Sequence, residues 1–300
     1  MNIIQYLDRI VLNYNNSVAD GAPCIQINTL KVTQPKQVAQ FLSLINCVIQ
    51  QLQSGDELNI RSFYYQNRDL FDSQSQSNSL ISKFIKHSGL TRQQLLFTIT
   101  SKGQIFGPAI YTFIDTSIEA NYIQITSQFN CIEKLFTNAS FLLIVEKDTI
   151  FQALRQNYAQ IQSALNMDFL ILTARGQPDL QTREFVNFIS KNNPEIQIFG
   201  LADCNSFGQQ ILFNYCFGSK LLVGSGKLVP IGLFESINGV KVQNEQKLDR
   251  IIFKLNGYQR QQWISNIILM KTQTECELDE LIKEGVLIEY VIEQLINNLQ

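Results

Sequence analysis

The sequence predicts a mixed α/β protein with a helical N-terminal part and a doubly wound, mainly parallel sheet in its C-terminal part. The first observation is that short apolar runs alternate with amphipathic segments between residues 141 and 217. The second is that apolar side chains recur every three or four positions over residues 35–87. Strand and helix patterns in alternation are typical of parallel sheets covered on both faces. Right-handed crossovers then predict an open, doubly wound sheet.

The N-terminal part contains three predicted helices. The first spans residues 35–53, where Pro35 suits the first helical turn and Gly55 suits the end of the helix. The second runs from about residue 78 to residue 87, and Ser88-Gly89 ends it. The third begins at Thr91, with Gln94 completing a capping box. Two short helices around a glycine turn are compatible with a DNA-binding helix-turn-helix or with a simple helical hairpin.

The elements after Gly103 are predicted from their residue types and periodicity. Ile, Phe, Thr and Tyr favour strands over 104–114 and 121–127, and residues 131–140 read as a short helix with a connector. The remaining predicted elements are strands 141–148, 169–176 and 196–204, helices 149–164, 179–191 and 207–217, and a helical region over 243–299.

Composition excludes several classes of protein. The chain has 24 basic and 26 acidic residues, so it is not globally basic, yet residues 61–102 carry six basic residues against two acidic ones. Its single histidine, His87, excludes a histidine-rich zinc site. Its six cysteines form no CxxC pair, as expected of reduced thiols. No apolar run approaches the ~18 residues of a membrane-spanning helix, so no membrane association is expected.

Two predicted strands end in acidic residues. Glu146 follows one strand and Asp203 ends another, and ligands of open α/β sheets lie beyond the carboxyl ends of the strands. Two such carboxylates can converge on one Mg²⁺ ion. Alternatively, each acid only caps the helix that follows. GSGK at 224–227 lacks the spacing of a P-loop, and no GxGxxG follows the first strand, which argues against a dinucleotide site.

Three segments of the C-terminal half resemble the Toprim domain of the topoisomerase VI A protein and of its eukaryotic counterparts, the Spo11 meiotic recombination proteins. They are FLLIVEKDTIFQAL (141–154), LILTARGQPDLQTREF (170–185) and IFGLADCNSFGQQILFNYCFGS (198–219). RSFYYQNRDLF (61–71) is similar to the family's catalytic tyrosine segment, and TITSKG (98–103) to its Ser-Lys-Gly turn. The resemblance implies an N-terminal extension over 1–34, a CAP-like winged-helix domain over 35–137, and a Toprim domain with C-terminal helices over 138–300.

The resemblance also implies a chemistry. Tyr65 would attack a backbone phosphate of double-stranded DNA, Arg61 would hold that phosphate, and Glu146 and Asp203 would bind Mg²⁺. The resemblance further implies a nuclear homodimer, in which the tyrosine of one protomer serves the metal site of the other, and a topoisomerase VI B-like partner. The expected DNA-binding residues are Arg61, Arg68, Lys83, Lys86, Arg92, Lys102 and Arg175.

Five residues depart from the family pattern. Asn205 replaces the second acid of Asp-x-Asp and is expected to be a weak metal ligand, so that one ion binds rather than two. Ser62 and Ser206 replace an acid and a proline, and Ala174-Arg175 replaces the Gly-Lys of Gly-Lys-Gly. Three functions therefore stay open: a meiotic DNA-breaking transesterase, a non-catalytic or weakly catalytic DNA-binding paralogue, and a topoisomerase VI A-type protein that needs an ATPase partner.

Overall fold

A computed structural model of the chain describes residues 2–98, 101–113, 116–126, 129, 132–219, 222–232, 243–256 and 261–299. These residues form two compact units, Met1–Thr100 and Ser101–Gln300. The division falls before the predicted boundary at residues 137–138, because the strands over 104–136 pair within the sheet of the second unit. None of the described helices is long and apolar enough to cross a membrane.

The first unit is helical, with two small strand pairs. Its elements are α1 (Ile3–Ala19), β1 (Ile25–Ile27), β2 (Leu30–Val32), α2 (Pro35–Ser54), β3 (Leu58–Asn59), α3 (Ile60–Gln66), a 3-10 turn (Arg68–Leu70), α4 (Gln74–Ser88) and β4 (Phe97–Thr98). The residues predicted as an N-terminal extension are folded into this unit, since Leu7, Ile10, Ile25 and Ile27 are buried in its core.

The predictions for helices in this unit are confirmed for α2 and α4. Gly55 and Gly89 end these helices in the left-handed conformation, at φ 78° and 77°. The predicted third helix is wrong. Thr91 and Gln94 do exchange the two hydrogen bonds of a capping box, at 2.8 and 3.2 Å, but Leu96 has φ 54° and the segment stops after one turn.

The second unit is built on a mixed sheet. Its described strands are β5 (Gln104–Thr112), β6 (Ser117–Gln124), β7 (Lys134–Phe136), β8 (Phe141–Val145), β9 (Phe169–Thr173), β10 (Gln197–Leu201), β11 (Gly218–Ser219), β12 (Leu222–Val223) and β13 (Leu228–Pro230). The main sheet runs β13-β10-β8-β9-β5-β6, with β7 also paired to β5. The short helix predicted over 131–140 is wrong for the described residues, because β7 lies there. Cys131 lies outside the described residues.

Helices connect and flank this sheet. They are α5 (Asp148–Gln156), α6 (Tyr158–Leu165), α7 (Leu180–Asn192), α8 (Ser206–Phe217), α9 (Glu245–Asn256), α10 (Gln261–Lys271), α11 (Leu278–Lys283) and α12 (Leu287–Leu299). The strands β13, β10, β8 and β9 are mutually parallel. Because the chain moves from β8 to β9 in one direction and from β9 to β10 in the other, right-handed crossovers put the connecting helices on opposite faces.

The strand β5 carries an irregularity between Phe106 and Ala109 that only glycine fits. Gly107 has φ 129°, and a Cβ there would meet the Phe169 carbonyl oxygen at 2.4 Å. Gly285 also has a positive φ, 73°, but a Cβ there would meet open space. A comparison of substitutions at these two positions therefore separates the cost of backbone strain from the cost of a steric clash.

We expect Gly107→Ala to lower the free energy of unfolding by roughly 3 kcal/mol, because strain and a backbone clash add. Gly285→Ala should cost about 1 kcal/mol, for strain alone. Urea unfolding followed by circular dichroism measures both. Equal losses would contradict the proposed close contact between β5 and β9.

Candidate active site

The helix α3 is anchored by one buried aromatic ring. Phe63 is fully buried and packs edge-on against Phe71 and Phe97, with ring centroids 5.8 Å apart in each case. The Asn59 side chain caps the helix by accepting the Arg61 N–H at 2.9 Å. At the other end, the Asn67 side chain donates to the Phe63 carbonyl at 2.9 Å. The helix is therefore held at both ends and along its buried face.

The tyrosine pair Tyr64-Tyr65 follows this anchor. Successive side chains of a helix leave it about 100° apart, although the two rings still touch, with centroids 5.3 Å apart. Tyr64 is half-buried and packs against the core of the first unit, whereas 65% of Tyr65 is exposed. Arg61 is exposed and lies one turn before Tyr65, on the same helix face. The structure thus separates a packing tyrosine from an exposed one that stands beside a cation.

The other predicted DNA-binding residues differ in exposure. Arg68, Lys86, Lys102 and Arg175 are exposed or half-exposed, and Lys83 is half-buried with its ammonium 6.0 Å from the centre of the Phe41 ring. Arg92 differs from the other predicted DNA-binding residues because it is buried. It is 5% exposed, and its guanidinium donates to the Phe97 carbonyl at 3.0 Å. Arg92 therefore serves the fold of the turn before β4 and does not offer its charge to DNA.

The sheet brings Glu146 and Asp203 together. Val145 and Leu201 are register partners at the carboxyl ends of β8 and β10, so the residues that follow emerge at one edge. The Glu146 carboxylate accepts the Asp203 N–H at 3.0 Å, and the Glu146 N–H donates to the Leu201 carbonyl at 3.1 Å. The alternative that each acid caps the helix that follows it is wrong, because Lys147 and Asn205 are the N-cap residues of α5 and α8.

The surroundings of the two carboxylates disfavour their negative charge. Burial, together with the nearby charge of Asp203, raises the pKa of Glu146 to about 7, although the hydrogen bond from Asp203 partly offsets the rise. Burial also raises the pKa of Asp203, while the Leu278 N–H and the Lys147 ammonium counteract that rise. A cation beside this pair would stabilise both carboxylates.

A lysine and an acidic segment that the sequence analysis missed complete the site. The Lys147 ammonium lies 2.9 Å from Asp203 Oδ2, 2.7 Å from Asp279 Oδ2 and 3.2 Å from Glu277 Oε2. Burial lowers the pKa of Lys147, but the hydrogen bonds to Asp279 and Asp203 outweigh it and leave the pKa above its ordinary value. The Leu278 N–H donates to Asp203 Oδ1 at 2.9 Å. We call residues 276–279 the acidic strap.

The sequence alone shows the lysine of this cluster but not its acidic partners. Lys147 follows Glu146 directly in the predicted strand end, so a charged neighbour was visible there. The strap lies about 130 positions further along the chain, and no local pattern connects the two. Cys276 and Cys204 join the strap to the strand end by exchanging backbone hydrogen bonds of 2.8 and 3.3 Å.

The Asn205 side chain is committed to the helix that follows. Its Oδ1 atom accepts the N–H groups of Phe207 and Gly208, each at 2.9 Å. Asp148 does not cap α5. It lies in the first turn, and its Oδ1 atom is 3.4 Å from Nε of Arg175. Within the part of the chain that the structure describes, neither side chain makes a hydrogen bond to the carboxylate of Glu146 or Asp203, although the Asn205 N–H donates to the Asp203 backbone carbonyl at 2.8 Å.

Glu146 and Asp203 supply oxygen donors of the kind that a divalent cation such as Mg²⁺ takes. Mg²⁺ is usually bound by one or two carboxylates together with water and phosphate oxygens, which Glu146 and Asp203 can satisfy. Among the described residues, no group of three His, Cys, Asp or Glu side chains is arranged to hold a metal ion. A second ion would need further carboxylates.

Comparisons with known proteins cover most of both units. The family model for the Toprim domain of Topoisomerase 6 A and Spo11 matches residues 141–299, and the model described as Type IIB DNA topoisomerase matches residues 36–96. The chain is 29% identical to the human meiotic recombination protein SPO11 over 199 residues, which cover 63% of this chain and 49% of that protein.

Two further relatives come from a plant and a yeast. The A3 protein of DNA topoisomerase 6 from Oryza sativa subsp. indica is 29% identical over 219 residues, covering 71% of this chain and 47% of the relative. The meiotic recombination protein rec12 of Schizosaccharomyces pombe is 26% identical over 183 residues, covering 61% and 51%. The chain spans about half the length of these curated relatives.

The cap geometry predicts the effect of restoring the missing acid. Asp and Asn cap helices about equally well, so Asn205→Asp should fold normally and add one negative charge beside Asp203. We expect the Mg²⁺ affinity to rise on the order of tenfold, because affinity follows the number of charged ligands. Isothermal titration calorimetry measures it. Asn205→Ser keeps a cap without the charge and should leave the affinity unchanged; an equal rise in that variant would contradict the electrostatic explanation.

Proposed function

The chain belongs to the topoisomerase 6 A/Spo11 family, and from this premise we propose that it breaks double-stranded DNA by tyrosine transesterification during meiotic recombination. The observation that carries the proposal is the exposed Tyr65 on an anchored helix, one turn after the exposed Arg61. The names of the relatives from human and yeast support the meiotic use.

In the proposed reaction, the Tyr65 hydroxyl oxygen attacks the phosphorus of a backbone phosphodiester. A bond forms between Tyr65 and the 5′ phosphate, and the bond from phosphorus to the 3′ oxygen breaks. The tyrosine gives up its proton and the departing 3′ oxygen gains one, so the number of phosphoester bonds is unchanged. Arg61 holds the phosphate oxygens with its paired N–H donors.

Glu146 and Asp203 are proposed to hold a Mg²⁺ ion. Once bound, such an ion neutralises charge that develops on the phosphate and the leaving oxygen. The protein's own contribution is a fixed pair of carboxylates, since the Asp203 N–H and the Leu278 N–H orient Glu146 and Asp203, respectively. Asn205 is proposed to contribute weakly, because its oxygen already accepts two N–H groups.

DNA binding is proposed to depend on exposed or half-exposed basic side chains and on the association of two protomers. The match of residues 36–96 to a type IIB topoisomerase supports a winged-helix, DNA-binding role for the first unit. We further propose a nuclear homodimer in which tyrosine and metal site come from different protomers, together with a topoisomerase VI B-like partner. The proposed DNA contacts are Arg61, Arg68, Lys83, Lys86, Lys102 and Arg175.

A second candidate function is a weakly catalytic DNA-binding paralogue. The observation that favours it is the state of the metal acids: Asp203 is paired with Lys147, and the second acid of the family pattern is the cap residue Asn205. A topoisomerase VI A-type protein that works with an ATPase partner is the third candidate, supported by the similarity to the plant A3 protein.

The tyrosine pair supplies a matched test of the chemistry. Tyr65→Phe removes one exposed hydroxyl and should abolish covalent protein–DNA adducts without affecting folding. Tyr64→Phe removes the neighbouring hydroxyl and should keep adduct formation. Adducts are measured after denaturing capture of the protein with its DNA from cells in meiosis. Adducts of Tyr65→Phe at the normal yield would falsify the assignment.

The basic residues supply a test of DNA binding. Arg68→Gln removes a charge and should reduce the slope of log affinity against log salt by about 0.9, for one phosphate contact. Arg92→Gln should leave this slope unchanged and lower the free energy of unfolding by about 1–3 kcal/mol, because it removes a buried hydrogen bond. Fluorescence anisotropy in increasing salt measures the slope. A reversed pattern would mean that Arg92 reaches the DNA.

A further inference from the structure

The Lys147 ammonium lies among the carboxylates at the candidate metal site. It contacts three carboxylates, those of Asp203, Glu277 and Asp279, at 2.7–3.2 Å. The Asp203 side chain is only 5% exposed, so its interaction with the ammonium is weakly screened by water. Lys147 is thus the counter-ion of a carboxylate that is proposed to bind Mg²⁺.

Both oxygens of the Asp203 carboxylate already have a hydrogen-bonding partner. Its Oδ1 atom accepts the Leu278 N–H and its Oδ2 atom accepts the Lys147 ammonium. Glu146 in turn uses one oxygen for the Asp203 N–H. A divalent ion that binds Asp203 Oδ2 lies beside the ammonium and is repelled by its positive charge, so the two cations compete.

The acidic strap offers the ammonium an alternative place. Asp279 Oδ2 lies 2.7 Å from Lys147 Nζ, and its other oxygen accepts the Thr149 hydroxyl at 2.8 Å, so this carboxylate is held in position. Glu277 adds a second acceptor at 3.2 Å. Lys147 can release Asp203 and still keep two carboxylates, which makes the exchange much cheaper than exposing an unpaired charge.

We propose that Lys147 is a positioning residue that holds Asp203 in place and competes with the divalent cation, with Asp279 of the acidic strap retaining the ammonium when the cation displaces it from Asp203. This inference rests on the proposed metal site. It assigns the strap, which lies beyond the family's Asp-x-Asp segment, a role in setting the cation concentration at which the site fills.

The test measures Mn²⁺ binding to the full chain without DNA, by the electron paramagnetic resonance signal of free Mn²⁺. Lys147→Met removes the competitor and should bind Mn²⁺ at least tenfold more tightly. Lys147→Arg retains the charge and should stay within about threefold of the unmodified protein. Lys191→Met, the same charge change on the exposed end of α7, is the matched control and should change the affinity less than twofold.

The thermal midpoint gives a second readout. Lys147→Met should unfold at a lower temperature than the unmodified protein without Mn²⁺, and saturating Mn²⁺ should close that gap, because binding to the folded state stabilises it. A purely structural role predicts a loss of stability that Mn²⁺ does not restore. Equal or weaker Mn²⁺ binding by Lys147→Met would overturn the proposal.

A variant of the strap predicts the opposite sign and does not depend on the folding of Lys147→Met. Asp279→Asn removes the negative charge that holds the ammonium at the strap, so Lys147 should hold Asp203 more firmly and Mn²⁺ affinity should fall at least threefold. Unchanged or tighter binding would overturn the role of the strap. Absence of Mn²⁺ binding in the unmodified protein would overturn the proposed metal site itself, whereas normal binding with no effect of either variant would overturn only this inference.

Discussion

The parallel pairing of β8 with β10 is the constraint on which the candidate site depends. Their register sets Val145 beside Leu201, so Glu146 and Asp203 leave the sheet at neighbouring points of one edge. All five residues of β8 are buried, which fixes the register through packing on both faces. A shift by one residue would turn Glu146 into the core. The position of the two carboxylates is therefore a consequence of the apolar strand sequence before them.

That geometry creates an electrostatic problem that the rest of the site answers. Two half-buried or buried carboxylates side by side repel, and burial removes the water that would screen them. The chain answers with Lys147, which directly follows Glu146, and with backbone N–H groups from Asp203 and Leu278. The strap then shares the positive charge. The resulting arrangement keeps the acids in place while their positive partner stays exchangeable.

How much of this was predictable depends on whether the signal was local. Patterns that extend over a few residues predict several features that the structure contains. These are the strands β8, β9 and β10, the helix α2 with its proline and glycine ends, and the two acids at strand ends. The prediction of a third N-terminal helix is wrong although its capping box forms. Two hydrogen bonds at the start of a helix do not extend it past Leu96, whose backbone is left-handed. The prediction that Arg92 contacts DNA failed because its charge alone does not reveal that the guanidinium is buried against a carbonyl.

The non-local features explain the remaining gap and also bear on the departure at Asn205. The strap is held beside Asp203 by the backbone pairing of Cys204 with Cys276. This contact joins distant parts of the chain, so the periodicity of the sequence does not predict it. Losing the acid at position 205 removes one negative charge, and the same edge of the sheet still presents Asp203, Glu277 and Asp279 to a single ammonium. The net charge of the edge, rather than the count of acids in one motif, then sets how strongly a cation is held there. A family pattern read one motif at a time overlooks such a charge because it arrives from a distant part of the chain.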